Sequence, residues 1–306
     1  MTFAATANVV LFMGATPVFV DVDPGTLLID PKKVEAAICE RTRAIIGVDY
    51  AGQPCDWESL QNIATRHNLK LIADASHAPG ATLNGRKVGS LADLTTFSFH
   101  PVKHITTAEG GMVTTDDDSL AESMRRFRNH GIDTDHRQRQ EKGTWRYEMT
   151  GLGYNYRLSD LQAALGLSQL VHLDEWVCRR RELAKRYDDI FSKLPGIEPL
   201  ATLPGAESAY HLYVVRIRRE ETGIDRDTLF EKLRNRGIGV NVHYIPVHLH
   251  PYYRNRLGTG EGLCSVAEAA GEEILSLPMF PALSDDEQNL VIDTLRNEVP
   301  AVQEVI

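Results

Sequence analysis

The strongest constraint on this chain is a rhythm in its first 116 residues, where short β-branched apolar runs alternate with helical stretches. Pro17–Val22, Ala44–Asp49 and Leu69–Asp74 read as strands. Asp30-Pro31 opens a helix, because aspartate caps well and proline is tolerated at the first helical position. Asp56 to Arg66 reads as a second helix, apolar at Leu60, Ile63 and Ala64. Leu94–Phe99 and Gly111–Thr115 are two further strands. This order lays strands parallel and covers them with helices on both faces. The expected fold is therefore α/β, with a mostly parallel central sheet.

The second half loses that rhythm. Asp117 to Arg128 reads as a helix with basic residues toward its end, which suits the helix dipole. Residues 130–150 are polar and highly charged, and read as a mobile or partner-contacting loop. Ser159 to Pro195 fits one long helix or two. Ala209–Arg218 and Val240–Tyr244 read as strands, with a helix over Asp227–Arg236 between them. Helices are expected near Ser265–Leu275 and Ser284–Asn297. The pattern divides into a large domain over 1–170 and a smaller α+β domain over 171–306.

Composition excludes several function classes. A net charge of −9 argues against a nucleic-acid partner. The absence of a long apolar run argues against a membrane span. Met1 to Asn8 has no basic n-region, so a cytoplasmic location is expected. The 4 cysteines (Cys39, Cys55, Cys178 and Cys264) are scattered without a CxxC pair, which points away from zinc and from a disulfide framework. His248 and His250 invite a metal reading, but no carboxylate is suitably spaced, and no metal is expected.

In open α/β sheets, ligands bind beyond the carboxyl ends of the strands. Asp49, Asp74 and Ser98 stand at three such ends. A lone loop lysine is normally a solvated cation, but Lys103 follows an apolar strand and precedes a Thr- and Gly-rich turn, Ile105 to Gly111. Hydroxyls, a lysine and glycine amides suit a phosphorylated carbonyl cofactor, because lysine condenses with an aldehyde and the other donors hold phosphate. Asp74 suits a protonated pyridine nitrogen, although alone it reads equally as a helix cap.

The stretch Ser98-Phe99-His100-Pro101-Val102-Lys103-His104-Ile105-Thr106-Thr107-Ala108-Glu109-Gly110-Gly111 resembles the lysine motif of the DegT/DnrJ/EryC1/StrS sugar aminotransferases. Thr2 to Asn8, Ala73 to Ala78, Gly153 to Ala164, Arg236-Gly237-Ile238 and Val242-His243-Tyr244 resemble further family blocks in the same order. The resemblance implies the type I fold of pyridoxal-phosphate-dependent transferases. It also implies a pyridoxal 5'-phosphate cofactor and a homodimer with a shared active site. The reaction implied passes an amino group from L-glutamate to a UDP-4-keto-6-deoxy sugar, giving a 4-amino sugar. The blocks Val48 to Gly52 and Ala164 to Leu170 look most like the pseudaminic-acid branch.

Carried over by position, the resemblance makes Lys103 the covalent anchor of the cofactor and the proton carrier. It makes Asp74 the partner of the pyridine nitrogen, His77 that of the 3-oxygen, Ser98 a phosphate ligand and Phe3 a stacking ring. Asn155 would reach the neighbouring subunit's phosphate, and His243 and Tyr244 would lie near the sugar nucleotide. Family members begin several dozen residues before the position of Met1, in a part that cradles phosphate at a helix N-terminus. Weaker cofactor binding and exposed apolar surface are the expectations attached to that difference. Three other readings are open to test. A sugar dehydratase is disfavoured, since histidine replaces the lysine in such relatives. A non-catalytic scaffold is supported only by the short start. A nicotinamide-dependent oxidoreductase lacks the required GxGxxG turn.

Overall fold

A computed structural model describes residues 1–299. The chain opens with α1 (Ala5–Phe12) and, after an extended stretch, α2 (Pro31–Ala37). Asp30 caps α2 by accepting from the Lys32 amide, and Pro31 occupies its first turn. β1 (Ala44–Val48), α3 (Trp57–His67) and β2 (Lys70–Asp74) form a βαβ unit, with Val48 opposite Asp74 in the parallel ladder. A hairpin of β3 (Thr82–Leu83) and β4 (Arg86–Lys87) precedes β5 (Leu94–Ser98), which is parallel to β2. β6 (Gly111–Thr114) returns antiparallel to β5, closing a sheet of order β1-β2-β5-β6. The carboxyl ends of β1, β2 and β5 therefore lie at one edge, with Asp49, Asp74 and Ser98 side by side in strand order.

The chain continues through α4 (Asp118–Arg128), α5 (His136–Glu141), α6 (Asp160–Leu170) and α7 (Leu173–Phe191). Next come β7 (Ile197–Pro199), β8 (Ala206–Glu207), β9 (Tyr213–Ile217), α8 (Arg219–Thr222) and α9 (Arg226–Asn235). α10 (Pro251–Leu257), α11 (Ser265–Glu273), β10 (Ile274–Leu277) and α12 (Asp285–Glu298) complete the described chain. β10, β9 and β7 make an antiparallel sheet, while β8 pairs with β3. Two cores result. Leu27, Leu60, Leu71 and Ala73 centre the first, and Leu183, Tyr187, Phe191, Ile217 and Leu229 the second.

The structure departs from the sequence reading in four places. Pro17–Val22 is not a strand, because its one ladder contact is an isolated bridge from Val22 to Ile29. Val240–Tyr244 likewise makes only a bridge, Asn241 to Ser276. Apolar β-branched residues need a paired neighbour to form a ladder, and these runs lack one among the described residues. Within 130–150, α5 forms because Asp135 and Gln138 make a reciprocal capping box. Ser265–Leu275 is helical only to Glu273, since the four residues of β10 are buried against β9. The long Ser159–Pro195 run resolves into α6 and α7. The expected second unit runs to 306, of which 300–306 lie outside the described residues.

No residue of α6 is buried, although Leu161, Leu165, Leu167 and Leu170 make it apolar. Val9, Phe12 and Met13 at α1 are also exposed.

Candidate active site

Asp74 ends β2 as a doubly held carboxylate. Its Oδ1 accepts from the Ser76 hydroxyl at 2.6 Å and the Ser76 amide at 3.2 Å. Its Oδ2 accepts from the Thr6 hydroxyl at 2.6 Å. Asp49, one strand over, is held differently. It is fully buried, its Oδ1 accepts from the Cys55 amide at 2.8 Å and Trp57 Nε1 at 2.9 Å, and its Oδ2 has no partner. Burial pushes its carboxyl up to about 7, and the charge of Asp74 adds to the rise.

Lys103 lies in the turn after β5, its amide donating to the His100 carbonyl at 2.9 Å. The side chain is half-buried. Burial pushes its ammonium down to about 8, against the opposing pull of Asp74. The loop carrying it folds back on itself, with Phe99 N donating to Gly110 O and Thr107 N to Phe99 O. Ser98 caps the start of this loop, its Oγ accepting from the His100 amide at 3.3 Å.

His77 occupies the turn after β2 and is buried. Burial first, then the charge of Lys103, pushes its imidazole well below the ordinary histidine value. Its Nε2 lies 3.2 Å from the Tyr244 hydroxyl, and its Nδ1 has no partner. Burial and then Asp74 raise the Tyr244 hydroxyl to about 12. Beside it, His243 Nδ1 lies 2.8 Å from Ser276 Oγ, and burial followed by the charge of Lys103 lowers that imidazole to about 4. The Tyr50 hydroxyl donates to the His243 carbonyl. The Phe3 ring stands 5.7 Å from that of Tyr244 and is 61% exposed, so one aromatic face is open.

Contacts and charge interactions thus join Lys103, Asp74, His77, His243, Tyr244 and Phe3 into one group. Asn155 is apart from it. That residue is exposed, its backbone bridges to Asn129, and its side chain makes no hydrogen bond to the group among the described residues. Sequence reasoning missed three neighbours. Thr6 lay within a quoted block without a role. His211 packs between His77 and His104, its ring centroid 4.5 Å from that of His77 and 5.4 Å from that of His104. His211 carried no signal, since it stands in an apolar run remote from the lysine motif. Gly52 makes this packing possible. At φ 106°, a Cβ there would lie 2.7 Å from Tyr210 N and 2.9 Å from the His77 carbonyl.

The residues present fit pyridoxal phosphate. A strand-end carboxylate awaits a ring nitrogen, a half-buried amine is eased toward neutrality, and a buried imidazole nitrogen is unpartnered. A strand-end hydroxyl and an open aromatic face complete the set.

Comparison with known proteins agrees with this geometry. The family model described as the DegT/DnrJ/EryC1/StrS aminotransferase family matches residues 1–296. The chain is 41% identical over 301 residues to the spore coat polysaccharide biosynthesis protein SpsC of Bacillus subtilis, covering 98% of this chain and 77% of that one. Among solved structures it is similar to Helicobacter pylori PseC, an aminotransferase involved in the biosynthesis of pseudoaminic acid. That match has 36% identity and a TM-score of 0.89, over 97% of this chain and 77% of the other. S. venezuelae DesV, solved in complex with a ketimine intermediate, matches with 36% identity and a TM-score of 0.89, over 99% and 77% of the two chains. The chain belongs to the DegT/DnrJ/EryC1/StrS family of pyridoxal-phosphate-dependent sugar aminotransferases.

Proposed function

We propose that this protein moves an amino group from L-glutamate to the keto carbon of a UDP-4-keto-6-deoxy sugar, on a route to pseudaminic acid. The observation that carries the reading is Lys103, whose half-buried amine is pushed down to about 8 beside Asp74. The likeness to PseC supports the choice of sugar.

When bound, pyridoxal phosphate supplies an aldehyde carbon and an electron-withdrawing ring. Lys103 would hold it covalently at rest and give way to the amino donor. Asp74 would pair with the protonated ring nitrogen, His77 would meet the 3-oxygen, Ser98 would take a phosphate oxygen, and Phe3 would cover the ring. Lys103 Nζ would accept the proton from Cα of glutamate; the amino group is left behind, and water supplies the keto oxygen of the departing 2-oxoglutarate. In the second half Nζ would deliver a proton to C4 of the sugar, which takes the amino group and gives up its keto oxygen as water. A lowered amine pKa suits this work, since a base acts best near the operating pH. His243 and Tyr244 border the same space and orient the sugar nucleotide.

The reading includes a homodimer in which Asn155 completes the partner's phosphate site. The open apolar face of α6, with Tyr154 and Tyr156 beside it, supports an interface between copies. It also divides the work between a cofactor-binding unit, 1–170, and a smaller unit, 171–306.

The test is a visible spectrum of the purified chain with pyridoxal phosphate, before and after L-glutamate, then after each candidate keto sugar. A visible band bleached by glutamate and restored by the UDP-4-keto-6-deoxy sugar is the expected result. A band indifferent to glutamate refutes the donor. Restoration only by a thymidine-linked keto sugar refutes the substrate.

A further inference from the structure

Thr6 performs no task in the mechanism above, yet it is bonded to its centre. It sits in the first turn of α1, and its hydroxyl crosses from a helix 68 positions away in sequence to reach Asp74 Oδ2 at 2.6 Å. A helical threonine can instead bond back to a carbonyl of the preceding turn. Thr6 Oγ also lies 2.7 Å from the Thr2 hydroxyl. A hydroxyl has one proton to donate, and that of Thr6 goes to Asp74, so at the 2.7 Å contact Thr6 accepts from Thr2.

Asp74 is therefore gripped from two elements. Ser76, in the turn after β2, donates twice to Oδ1, and α1 donates once to Oδ2. An ionised carboxylate offers about four acceptor positions. Three are used, which leaves one for an incoming donor and sets the plane in which that donor arrives. Asp49 does not share the role, because its bonded oxygen is committed to Cys55 and Trp57.

We propose that Thr6 is a positioning residue for Asp74, holding the carboxylate oriented so that it would pair with the protonated ring nitrogen of the bound cofactor. This rests on the reading of Asp74 given under the proposed function. It adds a specific consequence: the hydroxyl, and not the bulk of the side chain, is what matters at position 6.

The experiment compares Thr6→Val, which keeps the branched shape, with Thr6→Ser, which keeps the hydroxyl. Each is titrated with pyridoxal phosphate by absorbance, and the ring nitrogen of ¹⁵N-labelled cofactor is followed by NMR. Thr6→Val is expected to weaken cofactor binding by about tenfold, the scale of a lost hydrogen bond to a charged group. It should also move the ¹⁵N shift toward that of an unprotonated ring. Thr6→Ser should stay within about twofold of wild type by the same reasoning. Wild-type affinity and shift in Thr6→Val overturn the proposal, as does equal loss in both variants. If Thr6→Val does not fold, Thr6→Ala takes its place under the same criteria. Asp74→Asn separates the two levels. If it leaves the ¹⁵N shift unchanged, the reading of Asp74 fails. If it moves the shift while Thr6→Val does not, only the role of Thr6 fails.

Discussion

Lys103 is costly to the fold and, in the proposed reaction, useful for the same reason. Burial opposes its charge, lowering its amine to about 8. Lys103→Ala is expected to abolish turnover in a coupled assay with glutamate and keto sugar, whereas the fold should persist. The unliganded protein gives a second check. Between about 8 and the ordinary lysine value of about 10.4, the unfolded chain binds more protons than the folded one, so stability rises with pH across that window. Lys103→Met should therefore melt higher than wild type at pH 7, and the gap should narrow from pH 8 toward 10. The histidines behave in the opposite pH range. Burial is the first cause lowering His104, to about 3, with the charge of Arg180 next. The unfolded chain then takes up a proton near 6.5 that the folded chain refuses until about 3, so stability is lost as pH falls through that interval. Melting temperature should drop below pH 6.5, and less steeply in His104→Gln.

At the scale of elements, the caps and glycines decide where the site stands. Ser159 starts α6 with a capping box, its Oγ accepting from the Gln162 amide. Ser159→Ala should cost about 1 kcal/mol in denaturant melts. The cap Asp30 was readable because an N-cap is a local bond between residues close in sequence, and the same local bond starts the helices at Asp56 and Ser284. β10 was not readable. Ile274–Leu277 is apolar without alternation and follows a helix directly, and only pairing with β9 makes it a strand. Gly52 is similar, since its need for a missing Cβ appears only when Tyr210 and His77 close around it. Gly52→Ala should destabilise the chain by more than about 1 kcal/mol, because it combines left-handed strain with a backbone clash.

For the whole molecule, the open face of α6 and the isolated position of Asn155 make one joint prediction. Lys103→Ala and Asn155→Ala should each be inactive alone. Mixed after unfolding and refolding together, they should recover about a quarter of wild-type activity, because in the proposed homodimer half the assemblies would be hybrids and each hybrid would hold one intact site. No recovery in hybrid dimers, or full activity of Asn155→Ala alone, would remove Asn155 from the partner's site.

The order of strand ends, the helix caps and the lysine loop follow from the sequence by itself, because each is a pattern of neighbouring residues. The strand-end positions of Asp74 and Ser98, and of Lys103 just beyond, were legible for that reason, because each ends or follows an apolar run whose strand direction the βαβ order dictates; His77 was singled out only through the family resemblance. The joining of Thr6 to Asp74, of Tyr244 to His77, and of His211 to both His77 and His104 was decided by tertiary structure alone. Those pairs stand far apart along the chain, and nothing in local propensity selects between them. Only the packing of α1, the strand ends and the 210–244 region around one edge of the sheet brings their polar atoms within bonding distance and strips them of water.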